Sequence, residues 1–231
     1  MAFVFVVALL LFAVITMPAR IVIKEQDYSI GSDQIHLSNV SGRMLNGSAK
    51  WRWRELSGTA QWSVQRRFLK PTINIAIYSA PLEAEGRVVF NLSGRMEAEN
   101  IKLSAEVEAF SQALSLSVGG ADGSILGDIH KLSWSSKGEV SAEGVINYSG
   151  GRIHWANGSA TVGPLQLTAD TDTPHLTRFK LQAPSASRLY MDGSLEGRVF
   201  EWRVYRRWIQ LLGMSQGGSA DDVVFKISDQ W

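Results

Sequence analysis

Residues 101–108 read Ile101-Lys102-Leu103-Ser104-Ala105-Glu106-Val107-Glu108. Apolar and polar side chains alternate, the period of two that a strand shows when one face is buried and the other is wet. The same beat recurs along the chain. Ile73, Ile75 and Ile77 alternate with Asn74, Ala76 and Tyr78, and Val88, Phe90 and Leu92 with Arg87, Val89 and Asn91. Leu165, Leu167 and Ala169 alternate with Gln166, Thr168 and Asp170. Phe179, Leu181 and Ala183 follow the rule, as do Val223, Phe225 and Ile227. From Asp27 to Trp231 the chain therefore reads as strands with one apolar side.

The breaks between these stretches carry turn chemistry: Asn46-Gly47, Ser93-Gly94, Gly119 to Gly123, Ser149-Gly150-Gly151, Asn157-Gly158, Asp192-Gly193 and Gly217-Gly218. Such residues supply the positive φ that hairpins need. Their spacing of roughly ten residues suits an antiparallel meander, because parallel βαβ units need crossovers of a dozen residues or more. One segment departs from the pattern. Tyr205 to Gly213, YRRWIQLLG, puts Trp208, Leu211 and Leu212 on one helical face before a glycine stop, which predicts a short helix. The fold class expected is all-β: an extended, bent antiparallel meander, open like a taco, with this helix near the C-terminal end and one N-terminal transmembrane helix.

That transmembrane expectation rests on Ala2 to Met17, AFVFVVALLLFAVITM, whose only polar side chain is Thr16. As a helix it would span about 24 Å, enough to cross a bilayer if Pro18 and Ala19 sit at the interface. A cleaved signal peptide would carry a basic start and a small-x-small cleavage site. Met1-Ala2-Phe3 has no basic residue, so an uncleaved anchor over 1–19 and a β-domain over 20–231 are expected. Arg20 and Lys24 follow the run, and the positive-inside rule alone would put the bulk of the chain in the cytoplasm.

Composition narrows the function. The chain of 231 residues carries 23 Lys plus Arg against 22 Asp plus Glu, a balance with no general pull toward nucleic acid. It has no cysteine, which removes thiol chemistry, Cys-based zinc sites and iron–sulfur clusters. Neither a P-loop nor a G-x-G-x-x-G stretch opening a helix is present, and no nucleophile elbow. His36, His130, His154 and His175 are scattered without metal-ligand spacing. Asp170 and Asp172 lack the remaining oxygens of a calcium loop and read as part of a polar loop between strands. The pairs Glu83/Glu85 and Glu97/Glu99 fall on exposed strand faces with nothing to raise one pKa. No catalytic residue, cofactor or metal is expected. Asn39, Asn46, Asn91, Asn147 and Asn157 each begin an N-x-S/T pattern, read here as chance in an Asn- and Ser-rich chain.

The candidate contact residues are basic and aromatic. In Lys50-Trp51-Arg52-Trp53-Arg54 a strand would place Trp51 and Trp53 on one face and Lys50, Arg52 and Arg54 on the other. Arg206 and Arg207 add a second basic pair. Headgroup contact near a membrane or docking to an acidic partner would use such residues. The plainer alternative is two core tryptophans behind a charged outer face.

Several short motifs resemble protein N of the type II secretion system. They are an apolar run ending in Met17-Pro18-Ala19-Arg20, a V-x-G-x-x-x-x-G-like stretch from Val40 to Ala49, and a tryptophan strand at Ala60-Gln61-Trp62-Ser63-Val64. Further on come Gly151-Arg152-Ile153-His154-Trp155-Ala156-Asn157-Gly158, Gly163-Pro164-Leu165, and Ile209-Gln210-Leu211-Leu212-Gly213 before the strand from Val223 to Ile227. The stretch from Leu69 to Ser124 matches poorly. The resemblance implies an inner-membrane protein with its bulk in the periplasm, a non-enzymatic accessory subunit whose partners are other secretion-system components. A β-domain of this style that binds or transfers lipid in an apolar trough is the alternative.

Overall fold

The computed structural model describes residues 17–23, 27–30, 33–65, 70–91, 94–113, 119–135, 139–173, 176–185, 188–214 and 217–230. Residues 1–16 of the expected transmembrane anchor lie outside this set, and its last three, Met17 to Ala19, lie inside it. Among the described residues no helix is long and apolar enough to cross a membrane.

The chain is predominantly β, as the alternation predicts. Its strands are β1 (Asp27–Ile30), β2 (Asp33–Arg43), β3 (Asn46–Trp53), β4 (Leu56–Gln65), β5 (Thr72–Ser79), β6 (Leu82–Phe90) and β7 (Arg95–Glu106). Then come β8 (Gly119–Ala121), β9 (Ser124–Ser135), β10 (Val140–Tyr148), β11 (Gly151–Trp155), β12 (Gly158–Val162) and β13 (Leu165–Thr173). The series ends with β14 (Leu176–Gln182), β15 (Leu189–Glu196), β16 (Val199–Tyr205) and β17 (Val223–Gln230). Fourteen of them make one sheet in the order β1-β2-β3-β4-β5-β6-β7-β9-β10-β13-β14-β15-β16-β17. Every neighbouring pair is antiparallel.

The remaining strands form a small sheet, β12-β11-β8. It prolongs the centre of the large one. The β9–β10 ladder ends at Tyr148↔Ile125, and past a break the same two chain segments pair again at Ile153↔Ala121. The break falls at Gly123 and Gly150, both at positive φ (101° and 86°), a conformation that costs an L side chain strain. A Cβ at Gly123 would also meet the Gly150 carbonyl oxygen at 2.4 Å. The two glycines thus let paired strands turn a corner together.

Among the described residues three short helices accompany the strands: α1 (Ala19–Val22), α2 (Val107–Ala113) and α3 (Arg206–Leu211). The last matches the helix expected before Gly213, which takes φ +71° as its stop. The second corrects the strand reading of Val107 and Glu108. Two residues of alternation continue the beat of β7, yet the segment Val107-Glu108-Ala109-Phe110-Ser111-Gln112-Ala113 has helix-forming residues and a Gln112–Glu108 side-chain bond one turn apart (3.3 Å).

Several expected turns are also corrected. The β2–β3 turn is Met44-Leu45, and Asn46-Gly47 lies inside β3; likewise Asp192-Gly193 sits within β15. Asp170 and Asp172 lie on β13, not in a loop. The glycines in these strands answer to the side chains opposite them, described below.

Residues paired across a ladder share a face. One face carries the apolar half of every alternating stretch and the other the polar half. Trp51, Trp53, Trp62, Trp134 and Trp202 lie on the apolar face, and none of them is buried. The largest fully buried side chain among the described residues is Val162. Stability therefore comes from the ladders and from cross-strand pairs worth about 0.2–1 kcal/mol each, with little of it from a core sealed between layers.

Candidate functional site

The apolar face is the candidate site. A row of directly paired residues crosses it from Ala49 through Ala60, Ile77, Ala84, Leu103, Gly127, Ile146, Leu167, Leu181, Met191 and Val204 to Phe225. It holds no polar side chain, and at ~4.8 Å per strand it runs about 50 Å. A parallel row starts at Trp62 and Ile75, passes Gly86 and Ile101, and goes on through Ile129, Gly144, Ala169, Phe179, Gly193 and Trp202 to Ile227. It too is wholly apolar.

Glycines keep this face level. The indole of Trp62 lies across Gly47, its register partner, where a Cβ would come within 2.5 Å of the ring. Trp202 lies across Gly193 in the same way (2.6 Å), and there it meets Phe179 from the far strand, ring centroids 6.3 Å apart. Phe200 also stacks on Trp202, ring centroids 5.8 Å apart. Large rings that would otherwise stand up from the sheet are laid along it.

At one corner of this face the segment from Met17 is tied to the sheet. The amide of Met44 donates to the carbonyl of Met17 (2.9 Å), and the carbonyl of Met44 accepts from the Trp62 indole N–H (3.1 Å). Ala19 is fully buried against Val40 and Ala49, with Ile23 and Trp62 packed beside them. Pro18 bridges to Arg43. Residues 17–19, assigned by sequence to the end of the anchor, are thus fastened to the sheet.

The opposite face is laced with ions. Arg203 donates to both carboxylate oxygens of Asp192 (2.9 and 2.6 Å), which holds its guanidinium above its ordinary pKa. Lys226 reaches Glu201 (3.3 Å), and Lys131 reaches Glu97 (3.4 Å). A groove of about 590 Å³ on this face is lined by Asn46, Gln61, Ser63, Asn74, Glu85 and Arg87 among others. Glu85 is the one carboxylate in its lining, so no pair of acids faces across it. Among the described residues no three His, Asp or Glu converge as metal ligands would.

The sequence-chosen contact residues fall in two places. Trp51 and Trp53 share the apolar face, with Gly58 and Leu56 as their partners, while Lys50 and Arg52 lie on the polar one. Arg54 differs from the expectation: it sits in the β3–β4 turn at φ 53° and its guanidinium carbon lies 5.5 Å from the Trp53 ring centroid. A basic group over an indole face gains from the ring quadrupole, and the turn lets Arg54 reach across. Arg206 and Arg207 hold Asp222 (3.3 Å) and Asp221 (2.6 Å); Arg207 also donates to the Leu189 carbonyl (3.2 Å). They fasten the excursion between β16 and β17.

Sequence reasoning read the apolar stripe of β17 but took it for a buried face, and missed that it stays exposed at the end of the sheet. Val223, Phe225 and Ile227 are 47%, 58% and 54% exposed, and Phe225 and Ile227 end the two apolar rows. Also missed was Tyr148, whose hydroxyl donates to the Asp122 carbonyl (2.6 Å) across the corner; burial and the Asp122 carboxylate push its pKa up. Comparison with protein families, curated proteins and solved structures finds no match for this chain.

Proposed function

We propose that this chain is a non-enzymatic envelope protein that works by binding along one face of its sheet, as an inner-membrane-anchored accessory subunit of the type II secretion system with its bulk in the periplasm. The observation behind the binding reading is the unbroken apolar row from Ala49 to Phe225. A monomer rarely leaves so long an apolar surface without a use for it. The subunit assignment is supported by the motif resemblance, from Met17-Pro18-Ala19-Arg20 to the closing helix and strand, and by the outer edge of β17, the last strand of the sheet among the described residues, which offers backbone groups to an added strand.

A second reading is favoured by the same rows. The only N–H groups among their side chains, those of Trp62 and Trp202, are taken up by the Met44 carbonyl and the Met191 sulfur, and about 50 Å of apolar path exceeds the length of one acyl chain. A sheet bent around that path would shelter lipid tails. A photo-crosslinking amino acid in place of Phe225 in the full-length protein in cells separates the two. Adducts with secretion-system subunits support the first reading, and adducts with phospholipid or lipopolysaccharide support the second. Adducts with neither remove both.

A further inference from the structure

We propose that the end of the sheet built by Arg20, Ile21, Arg43 and Met44 is a bilayer-contacting rim that rests on anionic phospholipid. The inference builds on the reading of residues 2–17 as an anchor. Ile21 and Met44 are 55% and 37% exposed, two large apolar side chains at one corner of the molecule. Arg20 and Arg43 beside them are exposed and basic. Apolar groups flanked by basic ones are the composition of an interfacial contact, where side chains enter the acyl boundary and cations meet headgroups.

The position of this corner in the chain selects a membrane over a protein partner. The residues preceding Met17, Ala2 to Thr16, are apolar except for Thr16. Met17 itself is bonded to Met44, and Ala19 is fully buried against β2 and β3. No slack separates the end of the apolar run from the rim, so a run seated in a bilayer holds Arg43 and Met44 at that bilayer's surface. The apolar rows begin at the same corner, with Trp62 and Ala49, and lead away toward β17. The rim thus sets the near end of the apolar face against the acyl layer and its far end about 50 Å along the sheet.

Because the chain has no cysteine, single labels report cleanly. Full-length protein carrying a bimane on Met44→Cys, Leu10→Cys or Lys180→Cys is placed in vesicles of phosphatidylethanolamine and phosphatidylglycerol containing nitroxide-labelled lipid. The expected result is strong lipid quenching at Met44, none at Lys180, and a weaker, shallower quenching at Met44 when Arg20→Gln and Arg43→Gln are combined, because the anchor still holds the corner near the surface while its grip on headgroups is lost. A Met44 label as open to aqueous quencher as the Lys180 label, with Leu10 quenched by lipid, overturns the rim and leaves the anchor standing. A Leu10 label outside the lipid overturns the anchor, and quenching at Met44 then still decides the rim.

Discussion

Trp62 lies flat over Gly47, its register partner across β3 and β4, and the ring occupies the space a β-carbon would need. Gly47→Ala forces the indole off the sheet and crowds the Ser41 carbonyl, also 2.5 Å from the added carbon. The expected cost is about 1–3 kcal/mol, read as a lower denaturant midpoint at unchanged slope. Gly163→Ala, where nothing lies within 4 Å, serves as the control and stays within about 0.5 kcal/mol of the parent.

Trp62→Phe keeps a ring over Gly47 and deletes the N–H that the Met44 carbonyl accepts. The loss expected is about 0.5–1.5 kcal/mol. Hydrogen exchange should show it first at the Met44 amide, which is bonded to Met17. Unchanged protection there would mean that the corner does not depend on the indole.

Asp192 and Arg203 form a two-pronged pair on the polar face, with Asp192 mostly covered and Arg203 half in water. Solvent screening holds their coupling to about 0.5–1 kcal/mol. A double-mutant cycle with Asp192→Asn and Arg203→Gln measures it, and added salt should shrink it.

Alkali should loosen the corner at Gly123 and Gly150. The Tyr148 phenol is raised above its ordinary 10.0 by burial first and by Asp122 second. A raised folded pKa means that the folded state keeps its proton while the unfolded chain loses one. The stability it contributes is complete below pH 10 and is lost as pH climbs through the folded value. Phenolate absorbance against pH reads the titration, and Tyr148→Phe should flatten this part of the stability profile.

The β-architecture was legible because one face is wet. Ile73 to Ile77, Leu165 to Ala169 and Val223 to Ile227 alternate for that reason, and each became a strand. Val107-Glu108 could not be told from β7 by alternation, since helix and strand agree over two residues. The glycines misled for a different reason. Asn46-Gly47 and Asp192-Gly193 have turn composition, but their conformation is decided by Trp62 and Trp202 on the next strand, which local sequence does not pair with them. The two apolar rows were hidden in the same way, because register across the sheet is a property of all the hairpins together. Arg54 was misplaced because a strand was extended one residue too far, into the turn that carries it over Trp53.

Strand order in the large sheet follows chain order throughout, omitting only the three strands of the small one. Reach is therefore additive: removing one hairpin would shorten the molecule by about 10 Å, bring together the two strands that flanked it and leave the ladders beyond them as they are. Such an architecture is a ruler marked in hairpins, able to match a fixed distance in its surroundings by gaining or losing units.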